Sequence, residues 1–127
     1  MASELRVNTL KDASGNNSVA TSVVFNGTAK AWCTHNAAVS VTDSYNQSSV
    51  SDTGTGHFGL NFTSNMSNDD YIGTGSNIGS DDSFATGMVS DGAVVLTSRM
   101  DYQFRNYDTV NATDQDFQRV MTHGDLA

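Results

Sequence analysis

The sequence contains no proline, one cysteine and few charged residues, and each shortage narrows the range of folds and functions. Without proline, no strand ladder is interrupted by a residue that lacks a backbone N–H. With Cys33 as the only cysteine, no intrachain disulfide and no thiolate metal cluster can form. The longest apolar runs, such as residues 93–96, are far too short to cross a bilayer, so we expect no membrane insertion.

Basic residues are especially scarce: six Lys and Arg stand against fourteen Asp and Glu, which gives a formal charge of −8 at pH 7. The six are scattered along the chain, so they form no footprint for a phosphate backbone, and we expect no nucleic-acid binding. The first residues lack a basic stretch followed by an apolar one, so we also expect no signal peptide. The negative charge is typical of an abundant, exposed assembly that stays in solution.

Short polar residues and period-two alternation dominate the rest of the sequence. Ser, Thr, Asn and Gly clusters separate apolar segments at intervals of about ten residues, a spacing that indicates a β-sandwich or barrel. Residues 50–56 read as a turn, and residues 73–83 read as the most flexible-looking part of the chain. The predicted strands are 5–10, 19–25, 29–34, 39–45, 57–63, 71–72, 94–99, 102–106 and 117–122.

The predicted fold class is therefore all-β: an antiparallel sandwich or jelly-roll-like body over residues 28–127, preceded by a β-hairpin arm over residues 1–27. A 127-residue chain with 37% hydrophobic residues has a thin core for a lone monomer. Burial against copies of itself would supply the missing cover. Sequence thus favours an oligomer held by strand pairing between chains.

Three blocks of sequence stand in a fixed order: SELRVNTLKDASGNN at 3–17, then GTAKAW at 27–32 with DSYN at 43–46 and DTGTG at 52–56, and HGDLA at 123–127. Together they resemble small tail-fibre-like and virion structural proteins of marine bacteriophages, of the cyanophage type. The chain differs from the usual sequence of that group at residues 33–36 and 57–59. The resemblance implies a virion-associated β protein, assembled in the host cytoplasm and often homotrimeric, with no catalytic residue to transfer.

The expected function is that of a non-enzymatic virion structural protein of tail-fibre or tail-associated type, displayed on the particle surface and in contact with host surface polysaccharide. One alternative is a capsid decoration or head-fibre protein bound to the major capsid protein, because 127 residues without a shaft repeat are short for a fibre. A second alternative is a free carbohydrate-binding module. None of these functions requires a cofactor.

Candidate contact residues follow from these expectations. The alternating apolar side chains Leu5, Val7 and Leu10 are the predicted virion attachment site on the arm. Trp32 lies on the strand face opposite Ala31 and is open to three interpretations: a core residue, a subunit contact or a receptor contact. Trp32 and Phe58 are the predicted subunit interface.

A second set of aromatic residues is predicted to contact glycans. Tyr102 and Tyr107 flank Arg105, and aromatic faces beside a guanidinium are typical of sugar-binding patches. The predicted receptor or glycan contact therefore consists of Tyr102, Arg105 and Tyr107.

The sequence predicts no catalytic or metal site, although several residues carry suitable side chains. His35, His57 and His123 are better explained as separate histidines than as ligands on a trimer axis; if one does lie on such an axis, His57 is the expected residue. The doublets 69–70 and 81–82 lack an EF-hand pattern and read as solvated loop charge. Cys33 alternates with alanines and reads as a small buried hydrophobe.

Overall fold

The computed structural model of the chain describes residues 3–78, 94–105 and 111–127 and consists, in those residues, of antiparallel sheets with one short helix. The N-terminal elements are β1 (Thr9–Lys11), β2 (Ser18–Ala20) and α1 (Thr21–Gly27). The first sheet has the order β4-β3-β10-β7 and consists of β3 (Ala31–His35), β4 (Val41–Tyr45), β7 (Ile72–Ile78) and β10 (Phe117–His123). The second has the order β5-β6-β9-β8 and consists of β5 (Gln47–Gly54), β6 (His57–Phe62), β8 (Val95–Leu96) and β9 (Arg99–Gln103). The all-β prediction is confirmed.

The two four-stranded sheets share one core. Alternate residues of β3 and β10 point inward from the first sheet, and they meet the inward residues of β6 and β9 from the second. Contact between the sheets is direct, since the rings of His35 and Phe58 have centroids 5.0 Å apart. The buried hydrophobic side chains are Ala31, Cys33, Phe58, Leu60, Phe62, Met66, Tyr71, Met100, Tyr102, Phe104 and Val120.

Most neighbouring strands are joined by hairpins. The hairpin pairs are β3 with β4, β5 with β6, and β8 with β9. β10 is an internal strand of the first sheet and lies between β3 and β7. The turn from β5 to β6 is fixed by Gly56, whose φ is +67°. Its N–H donates to Asp114 Oδ1 at 2.6 Å, and its carbonyl accepts from Phe104 N at 2.9 Å. This turn therefore ties the second sheet to the chain that leads into β10.

Alternation predicts the strands with large apolar side chains well. In β6, Phe58, Leu60 and Phe62 are buried at the predicted period of two. In β10, Gln118 and Val120 face the core while Arg119 faces outward, as the alternation requires. These strands are fixed by burial of one face, which a one-residue slip would reverse.

Three stretches of the chain were predicted wrongly. Residues 50–56 were expected to be a turn, yet β5 (Gln47–Gly54) is an eight-residue strand. Residues 73–78 were expected to be a loop, yet they belong to β7 (Ile72–Ile78). Residues 94–99 were expected to be one buried strand, but the exposed β8 ends at Leu96 and a turn leads into β9. Backbone pairing with β6 holds β5 extended, and pairing with β10 holds β7 extended. The amino-acid composition of a strand gives little indication of such pairing.

The predicted strand over 19–25 is also wrong beyond Ala20, because residues 21–27 form helix α1. Propensity does not favour this helix, since Val23 and Val24 lose χ1 freedom in a helix. Thr21 anchors its start: the backbone N–H donates to Asn8 O at 3.0 Å and Oγ1 donates to Val7 O at 3.1 Å. No helix in the described part of the chain is long and apolar enough to span a bilayer.

Candidate functional site

The N-terminal segment carries its predicted attachment residues in the open. Leu5 is 80% exposed, and Val7 and Leu10 are also exposed. No side chain from residue 3 to residue 28 is buried, and Phe25 of α1 is exposed as well. The described part of the predicted arm, residues 3–27, keeps the name arm. Its hairpin is short, with two strands of three residues, and its apolar side chains are left without cover by the described part of the body.

Lys30 joins the arm to the body. Its ammonium group donates to Phe25 O at the end of α1 and to Thr28 Oγ1 at 3.2 Å. Its backbone N–H donates to Thr122 O in β10 at 2.8 Å, and its carbonyl accepts from Asn46 Nδ2 at 3.0 Å. The alkyl stem is buried while the charge caps the helix end, where a cation is favourable. Hydrogen bonds of Lys30 thus hold the C-terminal end of the arm in place, even though the apolar side chains of the arm are exposed.

The predicted glycan patch is corrected by burial. Tyr102 is only 2% exposed and lies in the core, so its ring faces other side chains and not solvent. Phe58 is 0% exposed and packs within the same chain, so it is a core residue and not a subunit contact. Tyr107 lies outside the described residues. Arg105 is partly buried, and its Nε donates to Gln103 Oε1 at 2.9 Å.

Tyr102 is held by a buried histidine on the opposite sheet. His35 Nδ1 donates to Asn36 O at 2.8 Å, which leaves Nε2 free to accept the hydroxyl proton of Tyr102. Both ring nitrogens are therefore satisfied when the imidazole is neutral. Burial lowers the pKa of His35, partly opposed by the bond to Asn36 O, and burial also raises the pKa of Tyr102. The pair is a neutral polar link between the two sheets.

The remaining candidates for chemistry are isolated. Cys33 is buried, as predicted, and burial raises the pKa of its thiol to about 11, so it carries no thiolate near neutral pH. His57 is hydrogen-bonded to Gln103 of the neighbouring strand, and His123 lies at the end of β10. Among the described residues no three His, Cys, Asp or Glu side chains come together as metal ligands. The doublet 81–82 lies outside those residues.

The outer face of the first sheet brings together residues from all four strands. One row across it runs Tyr45, Trp32, Met121 and Thr74, and the next row runs Asp43, Thr34, Arg119 and Ser76. Tyr45 is 53% exposed and Met121 is exposed, while Trp32 is half-buried between them. We call these eight residues the Trp32 face. Trp32 lies outward here because its neighbours Ala31 and Cys33 fill the core side of β3.

A shallow groove of about 370 Å³ opens on the Trp32 face. Trp32 and Thr34 line one side, Thr74 and Ser76 line the other, and Arg119 and Met121 rise from β10 between them. Cys33, Gly75 and Val120, which alternate with these residues, also border the groove. The surface lining is largely apolar, with a few polar groups at fixed positions, which is the usual make-up of a small-ligand site.

The polar groups of the groove are not used within the described part of the chain. The side chains of Thr34, Thr74, Ser76 and Arg119 form no hydrogen bond or ion pair with another described residue. Sequence reasoning missed the groove because β7 was expected to be a loop. The alternation of Trp32 with Ala31 and of Arg119 with Val120 is the signal that could have indicated an outer position for Trp32 and Arg119.

No protein-family model, curated protein or solved structure matches this chain. Two features of the described residues bear on function: an arm with exposed apolar side chains, and a half-buried tryptophan beside a guanidinium that has no partner among those residues.

Proposed function

We propose that this chain is a non-enzymatic structural protein of a bacteriophage particle, of tail-fibre or tail-associated type. In this proposal the arm attaches the protein to another virion protein, and the two-sheet body is displayed outward towards host surface polysaccharide. The observation that carries the proposal is the arm, which exposes all of its large apolar side chains except the half-buried Val19, while Lys30 holds its end by hydrogen bonds.

An arm of this kind gains stability when a partner covers it. An isolated two-stranded hairpin is marginal in water, and strands of three residues are shorter than most. Burying Leu5, Val7 and Leu10 would contribute about 1.5 to 3 kcal/mol for each side chain that becomes fully covered. The occupant we propose is an apolar groove on a neighbouring virion protein, which keeps the arm ordered only in the assembled particle.

The body is proposed to associate as a homotrimer. Strands β4, β5, β7 and β8 lie at sheet edges among the described residues, and open edges offer backbone groups for pairing with another chain. Trp32 was also predicted as a subunit contact; in this proposal the strand edges make the contact between copies and the Trp32 face stays open. The jelly-roll-like connection of the strands also remains a prediction.

The capsid-decoration alternative uses the same arm with a different partner, the major capsid protein. Its support is that the sequence contains no shaft repeat of the kind that builds a long fibre. Copy number separates the two: a few copies per particle indicate a tail location, whereas hundreds indicate the capsid. A protein that is absent from particles and binds glycans alone would be a carbohydrate-binding module.

The test is incorporation into particles of the phage that encodes the chain, measured by quantitative mass spectrometry and by immunogold labelling of purified particles. We expect wild type to be incorporated and the double variant Leu5→Ser/Val7→Ser to be strongly depleted, with unchanged expression. Ile72→Ser is the matched control, because Ile72 is a similarly exposed apolar residue on the body. Absence of the wild-type protein from particles contradicts the proposal, and equal incorporation of the arm variant contradicts the attachment site.

A further inference from the structure

We infer that the groove on the Trp32 face binds a saccharide that carries a carboxylate, with the sugar ring stacked on Trp32 and the carboxylate paired with Arg119. The inference deepens the proposed host-contact role by naming the ligand class and the site. It replaces the predicted patch at Tyr102, which burial removes from the surface.

Trp32 supplies the stacking surface. Its indole is half-buried, so one part is held by the sheet while the rest borders the groove. Aromatic side chains of this type combine an apolar face with a polar edge, and they bind flat ligands at a low cost in conformational entropy because they have only two χ angles. Tyr45 lies beside Trp32 in the same row and extends the aromatic surface beyond the groove.

Arg119 supplies the charge selectivity. It lies on β10 next to Met121 in the outward alternation, and its guanidinium has no partner among the described residues. Asp43 is the acidic residue of the same row, but it lies two strands away, roughly 9 to 10 Å at the usual strand spacing. Its carboxylate already accepts a hydrogen bond from Ser44 N at 2.9 Å. A planar carboxylate on the ligand would match the guanidinium in two parallel hydrogen bonds.

The hydroxyl groups of the groove fit the rest of a sugar. Thr34 lies on one side of Arg119, and Ser76 lies on the other, with Thr74 one row away. Each hydroxyl can donate one hydrogen bond and accept two, which matches the hydroxyls of a pyranose ring. An apolar peptide would leave these groups and the guanidinium unpaired, which is costly once water is excluded. The combination therefore favours an acidic saccharide over an apolar protein segment.

Trp32 also makes the site directly observable, because it is the only tryptophan in the chain. The experiment titrates the full-length protein with galacturonate oligosaccharides and, separately, with neutral glucose oligosaccharides of the same length, and it follows tryptophan emission and calorimetric heat. We expect a saturable emission change with the acidic sugar, and an affinity about tenfold lower for the neutral one, since a charge-assisted pair is worth about one factor of ten or more.

Substitutions in the groove test whether the saccharide binds there. Arg119→Gln is expected to lower affinity for the acidic sugar about tenfold and to abolish the preference over the neutral sugar. Arg6→Gln is the matched control, since Arg6 lies on the arm and is paired with Glu4 at 2.8 Å. Trp32→Ala is expected to abolish calorimetric binding. Arg119 is exposed, so its substitution leaves the core intact and keeps the test decisive if the tryptophan variant does not fold.

Three results would overturn the inference: no saturable change with either sugar, equal affinity for acidic and neutral sugars, or an emission shift that depends on protein concentration without sugar. The last result would show that a second copy covers the Trp32 face. Failure here is distinguishable from failure of the proposed function, because incorporation into particles is measured separately and depends on the arm.

Discussion

Replacing Tyr102 by Phe tests the neutral polar link between the sheets. The change removes one hydroxyl and keeps the ring, which packs against Phe58 with centroids 6.0 Å apart and against Phe104 with centroids 5.8 Å apart. His35 Nε2 then loses its donor in a site that is closed to water, since His35 is 0% exposed. A buried acceptor left without a partner costs about 1 to 3 kcal/mol, so we expect the free energy of unfolding to fall by that amount.

The assay is urea unfolding above pH 7, where an ordinary histidine is mostly neutral, since its pKa is about 6.5. Tyr45→Phe is the matched control, because this tyrosine is exposed and its hydroxyl has no hydrogen-bond partner among the described residues. We expect the control to lie within about 0.5 kcal/mol of wild type. If Tyr102→Phe also falls within that range, the hydroxyl does not satisfy His35 and the reasoning fails.

Three further predictions concern the turn, the buried imidazole and the assembly. Gly56→Ala should destabilise the protein far more than Gly15→Ala: both glycines have positive φ, but of the two only Gly56 would place a Cβ against backbone, 2.5 Å from Thr113 N. Thermal unfolding of both variants checks this, and equal shifts in melting temperature would contradict it. Because the pKa of His35 is lowered in the folded protein, the unfolded chain takes up a proton at this residue first, so the contribution of His35 to stability is complete above pH 6.5 and is lost as pH falls below that value. The free energy of unfolding, measured across this pH range, should therefore depend less on pH in His35→Gln than in wild type. Mass photometry or sedimentation of the purified chain should show a trimer, and a lone species of 13.5 kDa would refute it.

The sequence predicts the strands whose side chains are sorted by burial, and it fails where backbone pairing alone holds the strand. β6 is readable because Phe58, Leu60 and Phe62 alternate with smaller residues. β7 reads as a loop because Gly73 and Gly75 occupy its inward positions, and only the register with β10 shows that they lie in a sheet. Glycine lowers intrinsic strand preference, so no local signal was present.

In the candidate site, too, the sequence predicts what depends on side-chain alternation and misses what depends on contacts between distant segments. Alternation placed Trp32 opposite Ala31 and Cys33 but left open whether it was a core residue, and in the structure it lies on the outer face. Tyr102 was assigned to a surface patch because nearby arginines suggested polarity, whereas its hydroxyl is satisfied by His35, a residue 67 positions away. A long-range partner of this kind cannot be inferred from the neighbours of a residue in the chain. The groove required β7 as well as β10, so it became visible only with the sheet order.

The placement of Cys33 under the first sheet has a practical consequence for the chemistry of its thiol. A lone thiol on the surface would crosslink neighbouring copies, but this sulfur is sealed beneath β3 and is almost entirely protonated at neutral pH. Reagents reach it only when the two sheets part. The rate at which a maleimide labels the native chain therefore reads out how often the molecule opens, without any engineered probe.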